Sequence, residues 1–171
     1  MSVVALALAA VLGGAPAAGG VPEQLLPSPT RPVVTAGPIR GLSARVELPA
    51  RRLVAGSEMA ATVIVTNTTG GDVTVGGCLH LFYVALGNAN VDPRELLAWP
   101  ACLQAITIPA GTSQYPVSLA ARYVACFGAS RSPICVDGQP PPLPPGRYKA
   151  RLYQNPYVVR TPKPIVVRVT R

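Results

Sequence analysis

Proline recurs too often in this chain for a long helix to persist. Twenty prolines and sixteen glycines are spread over 171 residues, and a proline inside a helix costs about 3 kcal/mol through a lost hydrogen bond and a ring clash. A helical bundle is excluded on that ground. Between the breakers lie short runs in which apolar and polar residues alternate, the period of a half-buried strand. Leu42 to Leu48 sets Leu42, Ala44, Val46 and Leu48 against Ser43, Arg45 and Glu47, and Pro49 ends the run. Glu58 to Thr66 repeats the pattern and leads into Asn67-Thr68-Thr69-Gly70-Gly71, a turn rich in residues that tolerate positive φ. Val73-Thr74-Val75, Leu103–Ile108 and Gln114–Leu119 read the same way. Arg147–Tyr153 sets Tyr148, Ala150 and Leu152 inward, and Pro164–Thr170 buries either Ile165, Val167 and Val169 or the opposite set.

Two segments depart from alternation. Leu79–Leu86 is almost continuously apolar, which predicts a central strand covered on both faces. Asp92-Pro93-Arg94-Glu95 carries the signals of a helix start, and Pro100 would stop it after one or two turns. About seven strands, short turns and one crossing connection predict an all-β chain folded as an antiparallel β-sandwich.

The first residues bear on compartment. An unbroken apolar run from Val3 to Leu12 is followed by Gly13-Gly14-Ala15-Pro16-Ala17, the core and small-residue cleavage region of a secretory signal peptide. As a helix this run reaches only about 15 Å, half of a bilayer's hydrocarbon, so no stable membrane span is expected. Residues 1–17 read as a leader, 18–40 as a Pro-rich flexible linker and 41–171 as the folded domain. The expected location is secreted or in the cell envelope.

Cysteine usage agrees with export. Cys78, Cys102, Cys126 and Cys135 are an even set, read as two disulfides. Of the three pairings, nearest neighbours, Cys78–Cys102 and Cys126–Cys135, are preferred. No C-x-x-C occurs and His80 is the only histidine, so neither a metal site nor a cofactor is expected.

Charge is sparse and uneven. Charged residues make up 13% of the chain, against about 25% in an ordinary soluble domain, yet the net charge is +8. From Gly138 onward there is no acid, while Arg147, Lys149, Arg151, Arg160, Lys163, Arg168 and Arg171 all lie there. Such a face attracts anionic polymers, lipid head groups or acidic proteins, or simply keeps the chain soluble. Few aromatic residues are available to stack bases, which argues against nucleic acid.

Three local features resemble bacterial immunoglobulin-like modules. Ala55-Gly56-Ser57 through Val65-Thr66-Asn67-Thr68-Thr69-Gly70 is similar to their second strand and following turn. Ile108-Pro109-Ala110-Gly111-Thr112 is similar to the turn between the fourth and fifth strands. Leu143-Pro144-Pro145-Gly146-Arg147-Tyr148 is similar to the approach to the sixth. The resemblance covers roughly residues 41–171. It is to small exported immunoglobulin-like proteins of bacteria and, more distantly, to the bacterial intracellular proteinase inhibitor family. It implies an immunoglobulin-like sandwich, to which the residues themselves add one short helix and two loop disulfides. It also implies a tyrosine corner at Tyr148, whose hydroxyl would bond back to the chain just upstream. The departure is in the cysteines, which sit in connections and not in the second and sixth strands.

Catalysis has little support. A Ser–His–acid triad would need His80, which reads as a hydrogen-bonded structural residue. Asp92 and Glu95 are explained by helix capping, and oxidised cysteines are not nucleophiles. Asn67-Thr68-Thr69 matches a glycosylation acceptor, but the turn accounts for it. Pro140–Pro145 reads as a stiff spacer. Trp99 reads as packing on the Cys78–Cys102 bridge, or as a binding hot spot together with Arg94 and Arg131. The expected function is therefore a secreted, non-enzymatic and monomeric binding module. It would present its stapled loops, 87–102 and 120–145, to a protein or an anionic envelope polymer. The alternatives are a structural envelope component held by the basic face, a proteinase inhibitor and, last, a hydrolase.

Overall fold

The computed structural model describes residues 37–77, 80–93, 104–126 and 133–171. These residues form nine strands: β1 (Leu42–Glu47), β2 (Arg52–Val54), β3 (Glu58–Asn67), β4 (Val73–Gly77), β5 (Phe82–Gly87), β6 (Gln104–Ile108), β7 (Gly111–Ala120), β8 (Gly146–Gln154) and β9 (Ile165–Thr170). The chain is all-β there. The leader, most of the linker, the helix predicted after Asp92, and Cys78, Arg94, Trp99, Cys102 and Arg131 lie outside the described residues. Among the described residues no helix is long and apolar enough to cross a membrane.

Three hydrogen-bonded sheets result, in the orders β1-β3-β7, β2-β9-β8-β5 and β4-β6. The alternation sets the packing. Val63 and Val65 of β3, Leu119 of β7, Tyr148, Ala150 and Leu152 of β8, and Val167 and Val169 of β9 join one hydrophobic cluster. The inner faces of the two larger sheets thus share a core. On β9 the buried set is that of Val167 and Val169, with Arg168 outward.

Pairing is antiparallel with one exception. β2 runs parallel to β9, with Arg52 opposite Arg168 and Val54 opposite Thr170. Three residues with a single buried Leu53 carry no periodicity, so this strand is invisible in the sequence. A second element missed by pattern is Tyr157-Val158-Val159, where both valines are fully buried without being a strand. The Gln154 side chain replaces the ladder: its Oε1 accepts from the Val158 and Val159 amides at 3.0 and 2.9 Å, and its amide donates to the Val159 carbonyl. The Val158 carbonyl in turn accepts from Ile39 at 2.8 Å, so the fold takes hold of the chain two residues before Gly41.

The strand read as central is an edge strand. β5 is hydrogen-bonded to β8 and stands at the end of its sheet. It is nonetheless buried along almost its whole length, and β7 of the three-stranded sheet approaches it. There the Phe82 and Tyr115 rings meet edge-on at 5.0 Å. At its end a Cβ on Gly87 would sit 2.9 Å from Pro93 Cδ, so only glycine fits beneath that turn. A continuous apolar run reports burial, and burial here comes from neighbouring layers.

Candidate functional site

Two surfaces stand out, each built by local rules. The first is the connection from β7 to β8. Its base is zipped by backbone bonds: Leu143 donates to Ala121 at 2.9 Å and Tyr123 to Pro141 at 3.1 Å, with Arg122 bridged to Pro142. Leu143 enters the core, so the proline run is anchored at its middle. Farther out, Cys126 and Cys135 are joined by a disulfide, one of the two expected pairs. Immediately beyond Cys135, Val136 and Gln139 exchange amide–carbonyl bonds of 3.0 and 2.9 Å. The residues between them, Asp137 (φ 50°) and Gly138 (φ 73°), are both in the left-handed region. That is the geometry of a two-residue hairpin turn, for which Asp-Gly is a preferred pair. The dipeptide was available in the sequence as a signal.

This braced hairpin shows apolar side chains to solvent. Ile134 is 79% exposed and Val136 58% exposed. Val124, across the loop, is exposed as well.

The second surface is the outer face of the four-stranded sheet. On β8, Arg147, Lys149 and Arg151 alternate outward against buried Tyr148, Ala150 and Leu152. Register extends the charge sideways: Arg147 lies opposite Arg168 of β9, and Arg168 opposite Arg52 of β2. Three arginines therefore stand side by side on successive strands, about 5 Å apart. Arg51, Arg147, Arg168 and Arg171 line one open recess of about 690 Å³. A second, of about 460 Å³, continues past Arg147 and Val166 to Lys149 and Arg151.

Apart from Asp92, the described acids are elsewhere. Glu47 pairs with Arg45 on β1, the one ion pair among the described residues, exposed at both ends. Glu58 accepts a hydrogen bond from Ser118, Asp72 accepts from the Ala110 amide, and Asp137 sits in the hairpin turn. Asp92 shares a small recess with Arg151 and Tyr153 at the β5 end of the face.

The remaining candidates separate. His80, read as a hydrogen-bonded structural residue, lies at the surface with its ring edge-on to Tyr83 at 5.9 Å. One residue on, Leu81 is already buried. Among the described residues no three His, Cys, Asp or Glu cluster as metal ligands would. Asn67 is 3% exposed and its amide is fully engaged, as a turn residue and not an acceptor for modification. The Tyr148 hydroxyl donates to the Pro144 carbonyl, four residues upstream, at 2.8 Å. Burial, with Tyr123 nearby, raises its pKa above the ordinary 10.0, against a smaller opposing effect of a hydrogen bond with Asn88. No protein-family model matches the chain, and no curated protein matches it in sequence.

Proposed function

We propose that this chain is a non-enzymatic binding module that works outside the cytoplasm and offers the stapled hairpin around residues 133–139 to a protein partner. The observation that carries this reading is the pairing of exposure with rigidity. Ile134 and Val136 face water on a segment held by a disulfide and a two-residue turn. Apolar side chains so placed contribute nothing to the core, while a pre-ordered loop loses little entropy on binding. A braced loop of this kind suits insertion into a concave site, of which a protease cleft is one form.

The fold reading beneath it is an immunoglobulin-like sandwich. Its support is the strand order: β1-β3-β7 matches strands A, B and E, and β9-β8-β5 matches G, F and C, facing each other across one core. The Tyr148–Pro144 bond supports a tyrosine corner at the start of strand F. Export is supported by the leader-like residues 1–17 and by a disulfide, which persists in oxidising compartments.

The test is affinity capture from culture medium and envelope fractions with the oxidised chain and with Ile134→Ser/Val136→Ser. Partner retention should fall at least tenfold in the double variant. Equal retention by both would remove the hairpin as the binding element.

A further inference from the structure

We infer that the outer face of β2, β9 and β8 is a second binding site, independent of the hairpin, and that it holds a linear polymer through its phosphate groups. Three observations lead there. The first is register. Like charges directly opposite on neighbouring strands repel and destabilise a sheet, yet Arg52, Arg168 and Arg147 occupy three successive opposed positions. Solubility alone would be served by dispersed or mixed charge. Such a row is relieved when an anion lies across it.

The second is residue type. The face carries Arg51, Arg52, Arg147, Arg151, Arg168 and Arg171 against a single lysine, Lys149. Arginine's planar fork donates in parallel pairs and suits tetrahedral or planar oxyanions, where lysine offers only a point charge. Four of these forks line one recess. A carboxylate accepts in a single plane, whereas the tetrahedrally disposed oxygens of a phosphate can accept from guanidinium groups that converge from different directions.

The third is shape. The two recesses share Arg147 and Val166, so the cations form a continuous track. It runs about 10 Å across three strands and then about 13 Å along β8 to Arg151. A bent, concave track fits a chain molecule better than the plane of a bilayer. Docking on a bilayer would also call for apolar side chains to insert, and Val54 and Val166 are the short ones this face exposes. Asp92, near Arg151, closes the track at its far end with the opposite charge.

The experiment measures binding of the full oxidised chain to linear polyphosphate, to polygalacturonate of matched charge, and to phosphatidylglycerol vesicles, over a series of salt concentrations. Polyphosphate should bind at least tenfold more tightly than either of the others. Arg147→Ala/Arg168→Ala should lose at least tenfold on polyphosphate, with the slope of log K against log salt reduced by roughly 0.7 per arginine. Arg45→Ala, on the other sheet, and the hairpin double variant should bind as the parent does. Polyphosphate-induced amide shifts in the parent chain should centre on β8 and β9, a readout that needs no variant to fold. Equal affinity for polygalacturonate would overturn the phosphate assignment. Tighter binding to vesicles would replace the polymer by a membrane surface. Parent-like binding by the arginine double variant, or shifts centred elsewhere, would remove the site.

Discussion

A single buried amide joins two turns of this molecule. Asn67 closes β3 with its side chain inside. Its Nδ2 donates to the carbonyls of Gly71 and Ile108 at 2.9 and 3.0 Å and reaches that of Pro109 at 3.2 Å, while its Oδ1 accepts from the Thr69 amide and hydroxyl. The ends of β3 and β6 and the start of β7 are thereby tied by one residue. Asn67→Ala should cost about 2–3 kcal/mol, because the partners it leaves are part-buried and unpaired; urea unfolding measures it. Asn67→Asp keeps the acceptor but loses the donors, and should cost more. Tyr148 is the second such residue. Tyr148→Phe removes the bond to Pro144 and should cost about 1 kcal/mol. Its raised pKa adds a pH dependence. Below about pH 10 the phenol is protonated in both the folded and the unfolded chain, and the contribution is constant. Above that the unfolded chain ionises first, so stability falls until the folded phenol also ionises. Tyr115, raised by burial in the same direction, acts likewise. Between about pH 9 and pH 11 the urea midpoint of the parent should therefore drop more than that of Tyr148→Phe; equal drops would contradict this account.

At the scale of elements, strands whose alternation is strict are those with one face on the core and one in water. β8 is the clearest, and its outward set became the cationic track because β9 and β2 placed their own arginines beside it. Pro116 sits inside β7 without penalty because β7 is the edge of its sheet, where a missing amide forfeits no ladder bond. The disulfide belongs to the same scale. It closes a loop with a sequence separation of 9, so its removal should cost about 2–3 kcal/mol on the chain-entropy account. Cys126→Ser/Cys135→Ser should retain the β-sheet spectrum. Amide exchange should accelerate at Val136 and Gln139 and not in β3 or β8, since the loop's base is held separately by the Ala121–Leu143 zipper. Uniform acceleration throughout would show the bridge to be part of the core's cooperative unit.

Over the whole molecule, charge is segregated. Apart from Asp92 at the far end of the track, the described acids lie on the other sheets and in turns, and one broad face is left to arginine and Lys149. Net charge of +8 should make stability rise with moderate salt, as screening relieves the repulsion. Arg168→Glu, flanked by Arg52 and Arg147, should stabilise by about 0.5 kcal/mol at low salt and lose that advantage at high salt, while abolishing polyanion binding. Denaturation at low and high ionic strength checks both signs. A stability gain coupled to a binding loss would mark the arginine row as retained for its ligand.

Class and boundaries were readable from local pattern. Proline frequency ruled out a helical bundle, and period-two alternation located β1, β3, β7, β8 and β9 to within a few residues, because each is decided by its own side chains partitioning between water and core. The cation-rich end was equally plain as composition. Pairing was not. That Arg52 would reach Arg168 through a short parallel strand, that the most apolar run would lie at a sheet edge, and that Val158 and Val159 would be buried on the strength of one glutamine amide all depend on contacts between residues distant along the chain. No local periodicity encodes such contacts, since their energy exists only once the layers have met.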